Sequence, residues 1–324
     1  MKALITGNLG YVGPLVVRQM KDAGIHTVGL DTGWFLPTFD LTDHADHLPD
    51  EQLFLDLRSD KQAMLPSNVD VVVHLAGLSN DPLSEIDDTL TKRINVIGTI
   101  RLMELYPDAR HVVASSASVY GSTDKYHFSE EGDATKPLTA YARAKVAVDE
   151  YISSLDKTSD EYDAICLRFG TLWGWSPNMR RDIVVNAFCW QAAKNREVAP
   201  AQNARRPMLH VKDAAHLLVA AATTRHRGIV NCATENTTVL EIADRVARAT
   251  ESALVPCPES NADARDYWLD TQRMSTTIGQ GHPFTYLEHD KEIMRVFRTA
   301  QAMGEEYPTR IQRVKQIIEQ DGRL

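Results

Sequence analysis

The chain has 324 residues, of which 43% are apolar and 24% charged, so it is not a disordered, collagen-like or coiled-coil chain. Its net charge of −9 disfavours nucleic acid or an anionic membrane as the main partner. No apolar run approaches the ~20 residues that span a bilayer, and the N-terminal run is too short for a signal peptide. We therefore expect a cytoplasmic protein with two domains or one large domain.

The cysteines do not indicate a metal or redox centre. None of Cys166, Cys189, Cys232 and Cys257 stands in a Cys-x-x-Cys pair. Cys166 and Cys232 lie in apolar runs, which is typical of buried thiols. We therefore expect reduced cysteines and no bound metal.

The first half of the chain alternates strand and helix patterns. Strands are predicted at 3–5, 26–30, 53–57, 69–75, 111–114 and 163–168, and helices at 11–23, 87–105 and 139–155. The nearly unbroken apolar run at 69–75 is typical of a strand buried on both faces. This alternation predicts an α/β fold with a doubly wound parallel sheet.

The regular alternation of strand and helix patterns ends at about residue 171. Helices are predicted at 182–194, 212–224, 238–249, 289–302 and 308–319, the third of them with a capping box formed by Thr238 and Glu241. A strand at Val230 and Asn231 is expected to rejoin the main sheet. We therefore predict a first domain over 1–170 and a smaller lobe over 171–324, from which some segments return to the first domain.

A glycine-rich turn joins the first strand to the first helix. Its sequence, Gly-Asn-Leu-Gly-Tyr-Val-Gly, has a glycine at every third position. The first glycine permits a tight turn, the second lets a pyrophosphate approach, and the third allows close helix–strand packing, while the helix N-terminus attracts the anion. The cofactor-binding residues predicted here are Gly7, Asn8, Leu9, Gly10, Tyr11, Val12 and Gly13.

A carboxylate follows the second strand. Asp31 can accept hydrogen bonds from both ribose hydroxyls of an adenosine, and it would repel a 2′-phosphate. No Arg or Lys follows at 32–34, so the sequence predicts NAD rather than NADP. Asp56 and Leu57 close the third predicted strand, where the carboxylate can accept from the adenine amino group or stand as a solvated surface residue.

A tyrosine and a lysine lie on the same face of a predicted helix. Tyr141 and Lys145 are four residues apart in the helix predicted at 139–155. The pKa of a free tyrosine is near 10, and a nearby ammonium and a nicotinamide cation would lower it towards that of a useful base. A serine-rich loop at 115–118 follows a predicted strand and offers a hydroxyl to orient a substrate oxygen.

These motifs together resemble the extended short-chain dehydrogenase/reductases, and within them the NAD-dependent nucleotide-sugar epimerase/dehydratase branch. The glycine turn, Asp31, His-Leu-Ala-Gly at 74–77, Ser-Ser-Ala-Ser-Val-Tyr-Gly at 115–121, the Tyr-x-x-x-Lys pair and Leu-Arg-Phe-Gly at 167–170 carry the resemblance. It implies a Rossmann-type fold with a C-terminal substrate-binding lobe, and NAD as cofactor. It also implies roles for single residues: Tyr141 as general base, Lys145 as the ribose ligand that lowers the tyrosine pKa, Ser116 as catalytic hydroxyl, and Ala76, Gly77 and Asn95 beside the cofactor.

The resemblance further implies a nucleotide-diphosphate sugar as substrate. Arg206 would meet the diphosphate, and the segment with Asp263 and Arg265 would provide a second contact, although surface charge is the alternative for both arginines. The substrate-binding residues implied are Ser116, Ser118, Asn178, Arg206, Asp263 and Arg265. Family members pair two helices into a homodimer, which here would use 87–105 and 141–155 with a stripe of Val146, Val148 and Ile152.

Departures from the family's patterns narrow the expected reaction. Dehydratases carry Asp-Glu where Ala117 and Ser118 stand, uronate decarboxylases carry Glu at 118, and fucose-forming enzymes place a Cys in this loop. Without such a group, redox at one carbon remains: 4-epimerisation, or alternatively 4-keto reduction or dehydrogenation. A non-catalytic NAD sensor is disfavoured because Ser116, Tyr141 and Lys145 are all present. Ser-Asn-Asp at 79–81 replaces the Lys or Arg of many 4-epimerases, so the sugar and nucleotide stay open.

Overall fold

A computed structural model describes residues 1–38, 44–59, 61–79, 81–121, 127–130, 133–158, 162–258, 265–284, 288–303 and 307–321. Two residues discussed above, Asn80 and Asp263, lie outside these ranges. The strands are β1 (Lys2–Thr6), β2 (His26–Asp31), β3 (Glu51–Phe54), β4 (Val71–His74), β5 (Arg110–Ser116), β6 (His127–Phe128), β7 (Ala164–Phe169), β8 (Thr171–Trp173), β9 (Glu197–Val198), β10 (Arg205–His210), β11 (Gly228–Cys232), β12 (Glu235–Thr238), β13 (Ala253–Leu254) and β14 (Trp268–Leu269). The helices are α1 (Gly13–Asp22), α2 (Asp81–Ser84), α3 (Asp88–Lys92), α4 (Thr99–Leu105), α5 (Ala140–Thr158), α6 (Val184–Asn195), α7 (Val211–Thr223), α8 (Val239–Ala249), α9 (Gln272–Thr276), α10 (His289–Ala302) and α11 (Arg310–Asp321).

Seven parallel strands form the main sheet, in the order β3, β2, β1, β4, β5, β7, β11. Thr6 at the end of β1 lies opposite Leu30 of β2 on one side and His74 of β4 on the other. The chain reverses its winding direction at β1, so a crevice opens beyond the carboxyl ends of β1 and β4. The predicted doubly wound Rossmann-type sheet is confirmed, and β11 rejoins it as expected.

Helices cover both faces of this sheet. On one face α1 packs against α7, and on the other α5 packs against the segment that contains α3 and α4. The helix predicted over 87–105 was wrong as a single regular helix, since a wider π-helical turn at Arg93–Gly98 separates α3 from α4. Within this turn, the amide of Asn95 binds the backbone of Leu78 at 2.8 and 3.0 Å. None of the described helices combines the length and apolar character needed to cross a membrane.

The third strand differs from the prediction. It spans Glu51–Phe54 instead of 53–57, and it forms one edge of the sheet. Asp56 ends the ladder because its carboxylate accepts the backbone N–H of Arg58 at 2.8 Å and pairs with that guanidinium. Asp56 and Leu57 therefore lie in a turn just beyond the strand.

The remaining elements form a second layer around a separate apolar cluster. The strand β10 pairs in parallel with β8 and antiparallel with β12. Trp173, Phe188, Val246 and Phe297 belong to the cluster between α6, α8 and α10. The predicted capping box of Thr238 and Glu241 is present at the start of α8. Both sides of position 170 contribute to the main sheet, since β11 and α7 belong to its layers.

The His74 ring forms a buried link between β1, β4 and α4. Its nitrogens are hydrogen-bonded to the hydroxyls of Thr6 at 2.7 Å and Thr99 at 2.8 Å. Burial, with the charge of Lys145 nearby, lowers the pKa of His74 to about 3. The ring is therefore neutral in the folded protein at physiological pH.

We predict that His74 makes folding sensitive to acid. Below pH 6.5 the unfolded chain protonates this ring but the folded chain does not, so the free energy of unfolding should fall as pH falls. Between pH 7 and pH 5 the wild type should lose about 2 kcal/mol more than His74→Gln, measured by denaturant titration. The matched control is the exposed His127→Gln. Equal pH dependence in wild type and His74→Gln would contradict this assignment.

Candidate active site

The glycine turn lies at the crevice between β1 and β4. Gly7 adopts φ +70°, and a Cβ there would lie 2.7 Å from the backbone nitrogen of Ala76. A Cβ on Gly13 would lie 2.5 Å from Cα of Asn8. Both glycines are therefore required by close backbone contacts, which bring the N-terminus of α1 up to the carboxyl edge of the sheet.

A cleft opens at this edge. It passes from the turn after β2, across the glycine turn, to the ends of β3 and β4. The predicted cofactor-binding residues that line it are Gly7, Gly10, Tyr11, Val12, Gly13, Asp31, Asp56, Leu57, Ala76 and Gly77. The structure thus gathers residues from four separate motifs around one cavity.

Five predicted cofactor residues do not line the cleft: Tyr141 and Lys145 lie on α5, and three others are buried behind it. Asn8 is fully buried, and its amide donates to Gln52 Oε1 at 2.7 Å. Leu9 is buried with its backbone N–H directed at Asp31 Oδ2. Asn95 is 2% exposed and holds the backbone of Leu78. Asn8, Leu9 and Asn95 shape the wall of the cleft, and their side chains have no free path into it.

Asp31 ties the glycine turn to the loop after β2. Its two carboxylate oxygens accept the backbone N–H groups of Leu9 at 3.1 Å and Gly33 at 2.8 Å. Burial raises the pKa of Asp31, while these hydrogen bonds act in the opposite direction. Because Asp31 also lines the cleft, it presents a partly buried negative charge where an adenosine ribose is expected.

Tyr141 and Lys145 lie on the same face of α5, as the spacing predicted. The Lys145 ammonium lies 5.7 Å from the centre of the Tyr141 ring and donates to the carbonyl of Ala114 at 2.6 Å. Burial lowers the pKa of Lys145, and the charge of Asp149 opposes that change. Lys145 thus connects α5 to the end of β5.

The serine loop begins where β5 ends. Ser116 caps a short turn by accepting the N–H of Ser118 at 3.2 Å. The Ser118 hydroxyl oxygen is buried and has no hydrogen-bond partner in the part of the chain that the structure describes. β5 and α5 therefore place Ser116 close to the carbonyl that Lys145 binds, two residues earlier on the same strand.

A buried ion pair lies behind Lys145. Asp149, one turn further along α5, binds Arg168 of β7 at 2.7 Å, and both side chains are at most 5% exposed. The Cys166 thiol also donates to Asp149, at 2.9 Å. These contacts fix α5 on the sheet and so fix the height of Tyr141 and Lys145 above it.

The two candidate substrate arginines come together away from the glycine turn. Arg206 of β10 is half-buried, and its guanidinium binds the carbonyl of Arg265. Neither arginine is among the residues around the cofactor cleft. The structure therefore supports one shared location for them, while Asp263, which belongs to the same predicted segment, lies outside the described residues.

Asn178 does not have the accessible position expected of a substrate contact. It is fully buried, and its amide donates to the carbonyls of Leu9 at 2.6 Å and Phe35 at 3.0 Å. Its side-chain oxygen accepts from Thr38 and Arg310. Since the side chain is saturated by protein partners, Asn178 connects the glycine turn, the loop after β2 and the C-terminal segment.

Two arginines in the cleft were missed by the sequence reasoning. Arg180 is bound on both sides, by Asp182 at 2.9 and 3.0 Å and by the carbonyl of Ser79 at 3.0 Å. Its charge also acts on Tyr141. Arg310 enters the cleft from α11. Only the Arg180–Asp182 spacing could have given a signal, because Arg310 is far away in sequence.

A group of His and Asp side chains lies apart from the cleft. The ligand atoms of His44, Asp46 and His47 lie within 4.8 Å of one another. Asp46, however, pairs with the guanidinium of Arg18, and burial with neighbouring positive charge lowers the pKa of His47 to about 4. A guanidinium on the carboxylate opposes a second cation, so we assign no metal to this group.

The comparisons with known proteins agree with this site. Residues 3–233 match the model of the NAD dependent epimerase/dehydratase family. The chain therefore belongs to the NAD-dependent epimerase/dehydratase family, which confirms the predicted family and its cofactor, NAD. The cleft fits that cofactor, since it joins a glycine turn, a helix N-terminus and a strand-end carboxylate.

Curated relatives match part of the chain. UDP-glucose 4-epimerase 2 of Oryza sativa subsp. japonica is 31% identical over 191 residues, covering 54% of this chain and 45% of that protein. UDP-glucose 4-epimerase of Bos taurus is 27% identical over 186 residues, covering 52% of each. The chain thus spans about half the length of these relatives.

Solved structures match over most of their length. UDP-glucose 4-epimerase of Thermus thermophilus in complex with NAD has a TM-score of 0.75 at 23% identity, covering 92% of this chain and 99% of that one. MoeE5 in complex with UDP-glucose and NAD has a TM-score of 0.73 at 25% identity, covering 93% and 99%. The NAD-dependent NDP-hexosamine 5,6-dehydratase TunA has a TM-score of 0.78 at 20% identity, covering 94% and 98%. One fold therefore carries different reactions.

We predict that Asp31→Asn changes the preference between dinucleotides. The variant keeps one acceptor oxygen but loses the charge that repels a 2′-phosphate. The ratio of NADP to NAD affinity, measured by calorimetry, should rise by about tenfold. Asp50→Asn should leave the ratio unchanged, because Asp50 precedes β3 and its carboxylate binds Thr27, near the start of β2 and away from Asp31. An unchanged ratio in Asp31→Asn would show that this carboxylate does not select the cofactor.

Proposed function

We propose that this protein is an NAD-dependent nucleotide-sugar 4-epimerase with Tyr141 as its general base. The observation that carries the proposal is the arrangement of Tyr141, Lys145 and Ser116 at the carboxyl ends of the strands beside the cofactor cleft. Positions 117 and 118 carry Ala and Ser, so this loop has no carboxylate or thiol for elimination or decarboxylation. Redox at a single carbon is the chemistry that this set supports best.

Each group would have a defined task. Bound NAD supplies a reversible hydride acceptor. Tyr141 would take the proton of the 4-hydroxyl as the hydride leaves C4, and it would return the proton after the 4-keto sugar has turned over. Lys145 lies 5.7 Å from the Tyr141 ring and Arg180 interacts electrostatically with Tyr141, so both cations would favour its phenolate. Ser116 would hydrogen-bond the same sugar oxygen.

The substrate end is proposed to be the region of Arg206 and Arg265. A guanidinium can bind a diphosphate with two parallel hydrogen bonds, which suits the nucleotide-diphosphate part of the sugar. The same arrangement serves a 4-ketoreductase or dehydrogenase. The two reactions differ in whether the cofactor returns to its starting state on the enzyme.

A homodimer through α4 and α5 is also proposed. The residues proposed for its interface differ from the stripe predicted from the sequence. Val148 and Ile152 are at most 2% exposed and pack inside the protein, so the predicted stripe was wrong for these two residues. Ile97 and Leu105 instead expose 52% and 37% of their surface beside α5. The cytoplasmic location stays a prediction.

The catalytic prediction concerns Tyr141→Phe. Loss of the phenol oxygen should lower kcat by about 10²–10⁴-fold without abolishing NAD binding, because proton transfer is removed and the cleft is kept. The assay is turnover of a panel of UDP and other nucleotide sugars, followed by product chromatography. Tyr151→Phe, on the same helix and ten residues later, is the matched control and should keep wild-type turnover. Wild-type kcat in Tyr141→Phe would refute the proposed base.

Cofactor retention separates the two candidate reactions. An epimerase returns its hydride to the same substrate, so purified protein should release near-stoichiometric NAD on denaturation, detected by mass spectrometry. A net oxidoreductase must exchange cofactor at each turnover, so it should purify largely empty and bind NAD(H) reversibly. The second result would favour the ketoreductase or dehydrogenase.

A further inference from the structure

The C-terminal helix packs against one wall of the cofactor cleft. Ile311 and Val314 of α11 lie in one apolar cluster with Trp34 and Phe35, which belong to the loop after β2. Arg313 donates to the carbonyl of Trp34 at 2.9 Å. Trp34 and Phe35 themselves line the cleft, so α11 supports one of its walls.

Arg310, the first residue of α11, carries a buried charge into that cleft. Its side chain is 6% exposed and lies 4.1 Å from the centre of the Phe35 ring. It donates to the carbonyl of Asn178 at 3.2 Å, to the Asn178 side-chain oxygen at 2.7 Å and to the Thr38 hydroxyl at 3.4 Å. All of these acceptors are neutral.

The guanidinium has no ion-pair partner within the described ranges of the chain. Burial, together with the like charge of Arg180, lowers the pKa of Arg310 to about 10, so the group is still a cation at neutral pH. Asp182 and Asp31 act on it only from beyond ion-pair distance. A buried cation of this kind is costly unless an anion joins it.

The position of Arg310 indicates which anion would pair with its guanidinium. Asn178 binds Arg310 with its oxygen and the carbonyl of Leu9 with its nitrogen, so a single side chain separates the guanidinium from the glycine turn. That turn and the N-terminus of α1 are where the dinucleotide diphosphate is expected. The planar donors of an arginine match phosphate oxygens.

We propose that Arg310 binds the diphosphate of NAD, and that α11 is a strap that holds the cofactor in its cleft. Arg310 lies outside the stretch that matches the family model, which ends at residue 233. The inference rests on the assignment of NAD and not on the epimerase reaction, and it is tested by binding alone. The strap would make cofactor affinity depend on the C-terminal segment.

The experiment compares Arg310→Gln with Lys315→Gln, which removes an exposed cation from the same helix. Calorimetry with protein freed of nucleotide would measure affinities for NAD, ADP-ribose, adenosine, NADP and UDP. Arg310→Gln should weaken NAD and ADP-ribose by about 10- to 100-fold and leave adenosine and UDP unchanged. Lys315→Gln should bind all five like the wild type.

A second measurement separates binding from folding. Without ligand, the thermal midpoint of Arg310→Gln should equal or exceed that of the wild type, because a buried unpaired charge is removed. The rise in midpoint caused by NAD should shrink. Arg310→Lys, which keeps the charge and loses the planar donors, should lie between the two, and it is the fallback if Arg310→Gln does not fold.

Five results would overturn the proposal. Unchanged NAD affinity in Arg310→Gln would show that Arg310 does not contact the diphosphate. Equal weakening of adenosine and NAD, or equal effects of both Gln variants, would show a merely structural role. Weakening confined to NADP would place the arginine at a 2′-phosphate. Weakening confined to UDP would place it at the substrate.

Discussion

The backbone of the glycine turn runs so close to the end of β4 that no side chain fits between them. Gly7 faces the backbone of Leu75 and Ala76, and Gly13 faces Asn8, at distances that exclude a Cβ. This contact sets α1 directly above the sheet edge, and it makes room for a diphosphate between a helix N-terminus and two strand ends. The roles proposed for Asp31 and for α5 depend on where each lies relative to this edge.

Polar side chains then hold the loops around that edge. Asp31 joins the glycine turn to the loop after β2, and Asn178 joins the same two segments to α11. On the other side, Lys145 and the Asp149–Arg168 pair hold α5 on β5 and β7. The groups proposed to bind the cofactor and those proposed to react are therefore fixed by two separate hydrogen-bond networks, one on each side of the crevice.

The sequence predicted those parts of the site that depend on local spacing. The glycine turn, Asp31 and the Tyr141–Lys145 pair each follow from the geometry of one strand–turn–helix unit or one helix face. The parallel, doubly wound sheet followed from the alternation of strands and helices. The end of β3 was misplaced because the apolar residues at 53, 55 and 57 continue a strand pattern, whereas Asp56 forms a turn with Arg58.

Contacts between distant segments could not be predicted in this way. Asn178 was expected to face the substrate because members of the resembled family contact the substrate from this loop, but its partners come from positions near 9, 35 and 310. Arg310 opens a helix that was predicted nearly correctly, and nothing in the pattern of that helix indicates where its first side chain points. Packing against distant segments decides where such a side chain points. The periodicity of apolar residues predicts the helix but not these contacts.

The bond between Arg310 and Thr38 joins residues 272 positions apart in the chain. Such a contact closes a very long loop, whose entropic cost the surrounding packing must offset. Trp34 and Phe35 of the loop after β2 and Arg310 of α11 line the same cleft. This wall is therefore complete only when segments from both ends of the chain are in place.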